Sequence, residues 1–290
     1  HKSRRAKAGL MAHSCRLEPA YIAGSRGKLF ALHCAPAARN DRAECVIVAP
    51  SFAEEMNRCR YMQTMLAQQL AGHGIALLSV DPFGTGDSQG EFVEADWQQW
   101  VRDLITAADY AGQLGYRSVT LLGIRLGALL AAAAAPEMKN LQRLVFWQPV
   151  SNGKIALNQF LRIKIAAAIG RDEDGGTTAQ FEEELNRGNS IQVAGYDVSP
   201  ALFRGIQTAH FDQYLPPVNA PISWFTVLAS EERSTPRTDL KTIEQWRSEG
   251  KQIEHLTSIG PAFWQAHERT LAPNLVNETI SHLTGVPQHE

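Results

Sequence analysis

The feature that most limits the possible folds of this sequence is an apolar segment that leads through a glycine-flanked turn straight into an alanine-rich helix. The apolar segment, residues 118–123, predicts a buried strand, and the turn that follows is Gly123-Ile124-Arg125-Leu126-Gly127. The helix is predicted over residues 125–135. Two flanking glycines suit a tight strand-to-helix turn, because its central residue has a strained backbone and its neighbours approach other backbone closely. Residue 125 is therefore expected at the end of a central strand.

The rest of the chain alternates short apolar segments with amphipathic ones, which predicts a mainly parallel sheet covered by helices. The predicted strands are residues 28–34, 44–49, 75–80, 118–123, 141–147, 222–228 and 252–257. The predicted helices are residues 58–73, a helix with Asp96 as its N-cap, 125–135, 238–248 and 275–283. A Gly-rich turn, residues 81–88, follows the third of these strands.

Residues 151–218 interrupt the alternation. They contain a predicted helix at 155–169, a short strand pair within 189–198 and a helix that starts at Pro200. We expect this stretch to form a cap inserted between two sheet strands, with the core made of residues 16–150 and 219–290. The basic residues 1–15 lack the apolar segment of a secretory signal and are expected to be a disordered lead-in.

Composition limits the partners and the location. The formal net charge is −2, which gives no bulk electrostatic reason to expect nucleic acid or an anionic membrane as a partner. No apolar run reaches the ~18 residues needed to span a bilayer. The four cysteines show neither a disulfide framework nor metal-ligand spacing, so we expect reduced thiols, a cytoplasmic location, no metal and no cofactor.

The turn at residues 123–127 has the context of the Gly-x-Ser-x-Gly nucleophile elbow, in which a strained turn presents a serine above the sheet. Together with the upstream Gly-rich turn, it predicts an α/β-hydrolase fold, with a mostly parallel central sheet, helices on both faces and an inserted cap. Arg125 occupies the place of the serine.

Four segments carry a closer resemblance: PSFAEEMNRCR (50–60), DPFGTGDSQGEF (81–92), LLGIRLGALLA (121–131) and GNSIQVAGYDVSP (188–200). From about residue 16 to its end, the chain resembles the second of the two α/β-hydrolase-like proteins that accompany exosortase A systems. The resemblance implies a role in a bacterial locus for exopolysaccharide production and PEP-CTERM protein sorting, with a protein partner there. It also implies hydrolysis of an ester or thioester, although a fold name alone does not establish chemistry.

The residues themselves argue against ordinary serine hydrolysis. A serine triad needs a hydroxyl at the elbow, a histidine to take its proton and an acid to orient that histidine. Arg125 cannot serve as the nucleophile, because its guanidinium stays protonated. Glu231 or Glu232 could fill the acid position, but Ala262 stands near the place where the histidine is expected.

Three rewired arrangements remain as alternatives. Ser51 could act with His267 as its base, and Cys59 near a helix start could have a lowered pKa. A metal-assisted site could gather oxygen ligands from four acidic residues, although their spacing does not require a metal; these are Glu54, Glu55, Asp81 and Glu232.

Arg125 itself needs a compensating partner, because the dipole at a helix N-terminus disfavours a cation by ~0.3–1 kcal/mol. Glu54 or Glu55 could pair with it and close an old active site. Alternatively, Arg125 and the helix N–H groups could bind a carboxylate or phosphate. The expected ligand is small and anionic or acyl, and the protein is then a pseudoenzyme rather than a rewired hydrolase or acyl transferase. The expected ligand-lining residues are Ser51, Phe52, Glu54, Glu55, Asn57, Arg125, Leu126 and Trp264.

Overall fold

The computed structural model describes residues 15–172, 174–266 and 268–286, and the expected lead-in at 1–15 lies almost entirely outside them. These residues form an eight-stranded sheet, a separate two-stranded sheet and helices around them. The strands are β1 (Arg16–Ala23), β2 (Lys28–Ala35), β3 (Glu44–Ala49), β4 (Ala76–Val80), β5 (Ser118–Ile124), β6 (Leu141–Trp147), β7 (Ile191–Val193), β8 (Tyr196–Val198), β9 (Ile222–Leu228) and β10 (Ile253–Ile259). The α-helices are α1 (Glu54–Gly72), α2 (Trp97–Gln113), α3 (Gly127–Ala134), α4 (Gly153–Ile169), α5 (Thr178–Asn186), α6 (Pro200–Thr208), α7 (Phe211–Tyr214), α8 (Arg237–Ser248) and α9 (Pro273–Thr284).

The strand order in the large sheet is β1-β2-β4-β3-β5-β6-β9-β10. The first two strands pair antiparallel with each other, and β2 pairs antiparallel with β4. All other pairs in this sheet are parallel. The predicted fold class, a mostly parallel sheet of the α/β-hydrolase type with helices, is therefore confirmed.

Helices cover both faces of this sheet, which explains why its central strands are buried along their whole length and mostly apolar. Every residue of β3 and β5 is buried. Along β3, Cys45 and Ile47 pack into one apolar cluster, while Val46 and Val48 pack into a second one. The first cluster includes residues of α2 and α3, and the second includes residues of α1 and α9.

The segment between β6 and β9 lies outside the large sheet. It contains α4, α5, the β7–β8 pair, α6 and α7. Helix α6 packs tightly against α2, because a Cβ atom on Gly205 would lie only 2.4 Å from the Cβ of Trp97. The division into a core and a cap at residues 151–218 stays a prediction. The elements of this segment lie outside the large sheet, as a cap would.

Several element boundaries differ from the predicted ones. Helix α1 begins at Glu54 rather than at residue 58, and α3 begins at Gly127 rather than at residue 125. Strand β1 was not predicted, because it is a mostly exposed edge strand that contains Pro19, and an edge is where a strand tolerates proline. Helix α5 was also missed, although Thr177 and Gln180 form a capping box at its start. In the part of the chain that the structure describes, no helix is both long and apolar enough to cross a membrane.

Candidate functional site

The elbow forms at the end of β5 as the glycine pattern predicts. Arg125 has a φ of 56°, in the left-handed region that is strained for a residue with a side chain. A Cβ on Gly123 would lie 2.4 Å from the Cα of Ala128, and one on Gly127 would lie 2.1 Å from the carbonyl oxygen of Ala49. Both positions therefore require glycine, and the turn directs the Arg125 side chain away from the sheet's interior.

The Arg125 side chain is held by four partners. Its Nε donates to Glu55 Oε1 at 3.3 Å, its Nη1 to the carbonyl oxygen of Gln148 at 3.2 Å and its Nη2 to Gln159 Oε1 at 3.2 Å. The guanidinium carbon also lies 5.1 Å from the centre of the Trp264 ring, within cation–π range. Only 8% of Arg125 is exposed, so the cation is compensated inside the protein.

Glu55 is the glutamate that pairs with Arg125, and Glu54 instead pairs with Arg58 at 3.5 Å. Burial raises the pKa of the Glu55 carboxyl, and the nearby Arg125 charge works in the opposite direction. Asp239 of α8 is also close enough for the Arg125 charge to lower its pKa, although burial raises that pKa more. Glu55 therefore supplies the direct counter-charge to the Arg125 cation.

Arg125 borders a cavity of about 500 Å³, the elbow cavity, between α1, α4 and the loop that carries Trp264. Among the described residues, its charged lining consists of two arginines and two glutamates, so their formal charges cancel. Six of the eight residues that the sequence predicts to line a ligand site border this cavity: Phe52, Glu54, Glu55, Arg125, Leu126 and Trp264.

A second cavity of about 410 Å³, the aromatic cavity, lies on the other side of Phe52 and Leu126, which border both cavities. Ser51 and Asn57, the other two expected lining residues, border this one. Its aromatic wall consists of Phe52, Phe92, Trp97, Trp100 and Tyr196. The Phe52 ring contacts those of Phe92 and Trp100, with ring centres 5.9 and 6.0 Å away. Phe52 therefore joins Phe92 and Trp100 into an apolar surface on one side of this cavity.

Unpaired N–H donors lie at the boundary of the two cavities. Among the described residues, the backbone N–H groups of Phe52 and Leu126 donate to no other backbone group. The buried Nε1 of Trp264, on the wall of the elbow cavity, has no hydrogen-bond partner in the described part of the chain. A buried donor without an acceptor is costly, so an acceptor from a ligand would be favourable here.

Comparison with known proteins identifies the family. Residues 22–196 match the family serine aminopeptidase, S33. The chain belongs to this family. No curated protein has significant sequence similarity to it.

Solved structures similar to this S33-family chain share its fold at low sequence identity. Est1E from Butyrivibrio proteoclasticus, with bound ferulic acid, is 18% identical with a TM-score of 0.64, and the match covers 92% of this chain and 100% of that one. GrgF from Penicillium sp. sh18 is 18% identical with a TM-score of 0.63, covering 93% and 98%. A proline iminopeptidase from Mycobacterium smegmatis is 16% identical with a TM-score of 0.59, covering 92% and 97%.

The structure describes some of the remaining candidate catalytic residues of this S33-family chain. The Ser51 hydroxyl donates to the sulfur of Cys59 at 3.4 Å, and His267, its proposed base, lies outside the described residues. Burial raises the pKa of the Cys59 thiol to about 12, so it is not an activated nucleophile. Glu231 and Glu232 are exposed and border neither cavity.

The four acidic residues considered as metal ligands are not gathered at one point. Glu54, Glu55 and Asp81 each pair with a different arginine, and Asp81 lies 2.9 Å from Arg60. Within the described ranges, no group of three or more His, Cys, Asp or Glu side chains is placed to hold a metal ion.

Sequence reasoning missed two partners of Arg125, namely Gln148 and Gln159. Gln148 follows β6 directly with a φ of 43°, and its side-chain oxygen accepts from the Val227 N–H at 2.7 Å. Its position at a strand end was a usable signal, because such ends border the site in open α/β sheets. Gln159 lies on α4 within the predicted cap, whose position over the sheet the sequence did not reveal.

Proposed function

We propose that this S33-family protein binds an acyl ligand beside the elbow, in the aromatic cavity, and does not hydrolyse esters there. The observation that carries the proposal is Arg125, which occupies the nucleophile position and is neutralised by Glu55 at 3.3 Å. A guanidinium cannot attack a carbonyl carbon, because it carries no free electron pair when protonated. The Arg125–Glu55 pair therefore closes the catalytic position, while the aromatic cavity, which neither residue borders, stays open.

The binding groups are donors rather than charges. The N–H groups of Phe52 and Leu126 lie where a hydrolase of this fold stabilises an oxyanion. Here they would donate to the oxygen of a bound carboxyl or acyl carbonyl group. The aromatic cavity of about 410 Å³ begins at the same two residues and would hold the apolar chain of the ligand.

The balance of charge favours an acyl group over a free polyanion. Arg125 and Arg58 are matched by Glu55 and Glu54 on the wall of the elbow cavity, so a phosphate would have to displace a carboxylate from Arg125. An ester carbonyl, or a single carboxylate held by the Phe52 and Leu126 N–H groups, needs no such displacement. We therefore expect acyl esters and fatty acids to bind comparably, and inorganic phosphate to bind weakly.

Calorimetric titration with octanoic acid, methyl octanoate and inorganic phosphate tests this. Met56→Trp places an indole in the aromatic cavity and should weaken octanoate binding by about tenfold or more, equivalent to ~1.4 kcal/mol. Met65→Trp, on the same helix outside both cavities, is the matched control and should bind as the wild type does. Equal loss in both variants, or a marked preference for phosphate, would refute acyl binding.

Absence of catalysis at the cleft is tested separately. After incubation with a fluorophosphonate probe, peptide mapping should find neither Ser51 nor Cys59 modified, because the hydroxyl of Ser51 faces a sulfur rather than a base. Modification of Ser51 would support the rewired hydrolase or acyl transferase instead.

We also propose that the protein acts with the exosortase and exopolysaccharide machinery, inside the cell. This rests on the resemblance carried by residues 50–60, 81–92, 121–131 and 188–200. In a bacterium that carries such a locus, deletion of the gene should reduce exopolysaccharide or PEP-CTERM protein sorting. The wild-type gene should restore it and the Met56→Trp gene should not. An unchanged deletion strain would contradict this role.

A further inference from the structure

A serine, a histidine and a glutamate come together at the opposite edge of the sheet from the elbow, where β9 and β10 begin. Ser223 and Glu254 are direct partners in the parallel register of these two strands. On its other side, β9 pairs with β6, and there Ser223 is opposite Val145. Arg143 lies two residues before Val145 on β6. Paired residues, and residues two apart on one strand, present their side chains on the same face. The register therefore places Arg143, Ser223 and Glu254 side by side.

Helix α9 supplies the histidine. His282, in its last turn, has Nε2 at 2.6 Å from the Ser223 hydroxyl and Nδ1 at 3.8 Å from Glu254 Oε2. The ring also makes an edge-to-face contact with Phe225, with ring centres 5.9 Å apart. The imidazole is thus fixed with one nitrogen facing a hydroxyl and the other facing a carboxylate.

The Ser223–His282 contact places a base within hydrogen-bond reach of a hydroxyl, as an activated nucleophile requires. The Glu254 carboxylate lies near the other ring nitrogen but beyond hydrogen-bond distance. A proton on Nδ1, on the Glu254 side, leaves Nε2 free to accept from Ser223. Burial lowers the pKa of His282, and the charge of Arg143 adds to this, which keeps the imidazole neutral.

The three residues border a cavity of about 450 Å³, the basal cavity, although only 4% of Ser223 is exposed. Arg143 and Arg247 also line it, and Glu254 is its one carboxylate within the described residues. With two guanidinium groups against one carboxylate, the basal cavity favours a ligand that carries negative charge.

We propose that Ser223 is the nucleophile of a second site, which accepts acyl groups from small esters that bear a carboxylate. Ser223 Oγ forms the bond to the carbonyl carbon while His282 Nε2 takes the hydroxyl proton. The bond to the leaving oxygen breaks, and that oxygen receives the proton from His282. Water then attacks the acyl-serine by the same route, which releases the acid and restores the hydroxyl. Glu254 is a positioning residue, and the arginines bind the carboxylate of the ester.

Covalent labelling of the full-length protein tests the nucleophile. A fluorophosphonate probe should add once, and peptide mapping of the wild type should place it on Ser223. Ser223→Ala should abolish the label, and His282→Gln should slow it by about 100-fold or more, the usual contribution of a general base. Wild-type mapping needs no variant, so the test stands even if a substitution impairs folding.

A matched control lies on the same two strands. Thr226 Oγ1 is 3.1 Å from His255 Nε2, a similar hydroxyl–imidazole contact that borders none of the elbow, aromatic and basal cavities. Thr226→Ala should therefore label as the wild type does. A label elsewhere, no label, or an unchanged rate in His282→Gln would overturn the proposal.

The roles of the charged residues have their own readouts. p-Nitrophenyl hemisuccinate should be cleaved faster than p-nitrophenyl acetate, and Arg143→Gln or Arg247→Gln should remove that preference. Glu254→Gln should lower kcat and shift the pH profile of labelling to lower pH, because the carboxylate favours the protonated imidazole. An equal rate for both esters would refute selection of anionic substrates, and an unshifted profile would refute the positioning role of Glu254.

Discussion

Replacing Arg125 with methionine isolates the ion pair at the elbow. The change keeps much of the side-chain volume but leaves Glu55 without its cation. Loss of one partner from a buried pair costs ~3–5 kcal/mol. The Glu55 side chain is 26% exposed, which lets water offset part of the loss, so we expect about 3 kcal/mol at neutral pH.

The loss should depend on pH with a defined sign. The Glu55 pKa is already raised by burial, and removal of Arg125 raises it further. A carboxyl whose folded-state pKa lies above its unfolded value stabilises the fold below the unfolded pKa, and this is lost as pH rises through the folded pKa. Arg125→Met should therefore be markedly less destabilised at about pH 4 than at about pH 7. The double variant with Glu55→Gln should recover most of the stability at neutral pH.

Urea denaturation at both pH values measures these free energies of unfolding. Arg187→Met is the control, because Arg187 makes ion pairs with Glu183 and Glu184 at an exposed site. Such pairs contribute ~0–1 kcal/mol. If Arg125→Met is no less stable than this control, or if Glu55→Gln gives no recovery, the Arg125–Glu55 pair does not hold the elbow closed.

Four further substitutions, one of them a control, test the elbow turn, the start of α2 and a buried carboxyl group. Gly127→Ala puts a Cβ 2.1 Å from the Ala49 carbonyl oxygen and should lower the free energy of unfolding by ~1–3 kcal/mol. Gly112→Ala is the control, because nothing lies within 4 Å of its Cβ, and it should raise that free energy by ~0.5–1 kcal/mol. Equal effects of the two variants in thermal unfolding would contradict the elbow geometry. Asp96→Ala removes the N-cap of α2, whose side chain accepts from the Gln99 N–H at 2.8 Å, and should cost ~0.5–2 kcal/mol by urea denaturation; no loss would mean that the cap is not formed. Burial raises the pKa of Asp103 from 3.8 to about 6, so the contribution of Asp103 to stability should fall by ~3 kcal/mol as pH rises through this window. Asp103→Asn should remove that contribution from the pH dependence of the wild type; parallel curves would refute the raised pKa.

The sequence was most informative where a local pattern had one structural solution. Two glycines around residue 125, after a buried strand, were enough to predict the elbow, since only glycine fits such close backbone approaches. The pairing of Arg125 with one of two glutamates followed from the rule that the carboxyl ends of parallel strands border one crevice.

Contacts that depend on long-range packing were not predictable. Gln159 contacts Arg125 because α4 lies over the carboxyl end of the sheet. The sequence separation of 34 residues between the two does not predict that position of α4. Ser223 and His282 are 59 residues apart, and their contact depends on how α9 packs on β9. Strand β1 lacked an apolar pattern because one of its faces is exposed at the sheet edge.

A crystal structure of the protein with octanoic acid bound tests the central claim most directly. The account predicts a carboxyl oxygen within hydrogen-bond distance of the N–H groups of Phe52 and Leu126, with the alkyl chain in the aromatic cavity and the Arg125–Glu55 pair intact. Octanoate bound to an Arg125 that has left Glu55, or an octanoyl group attached to Ser51, would contradict it.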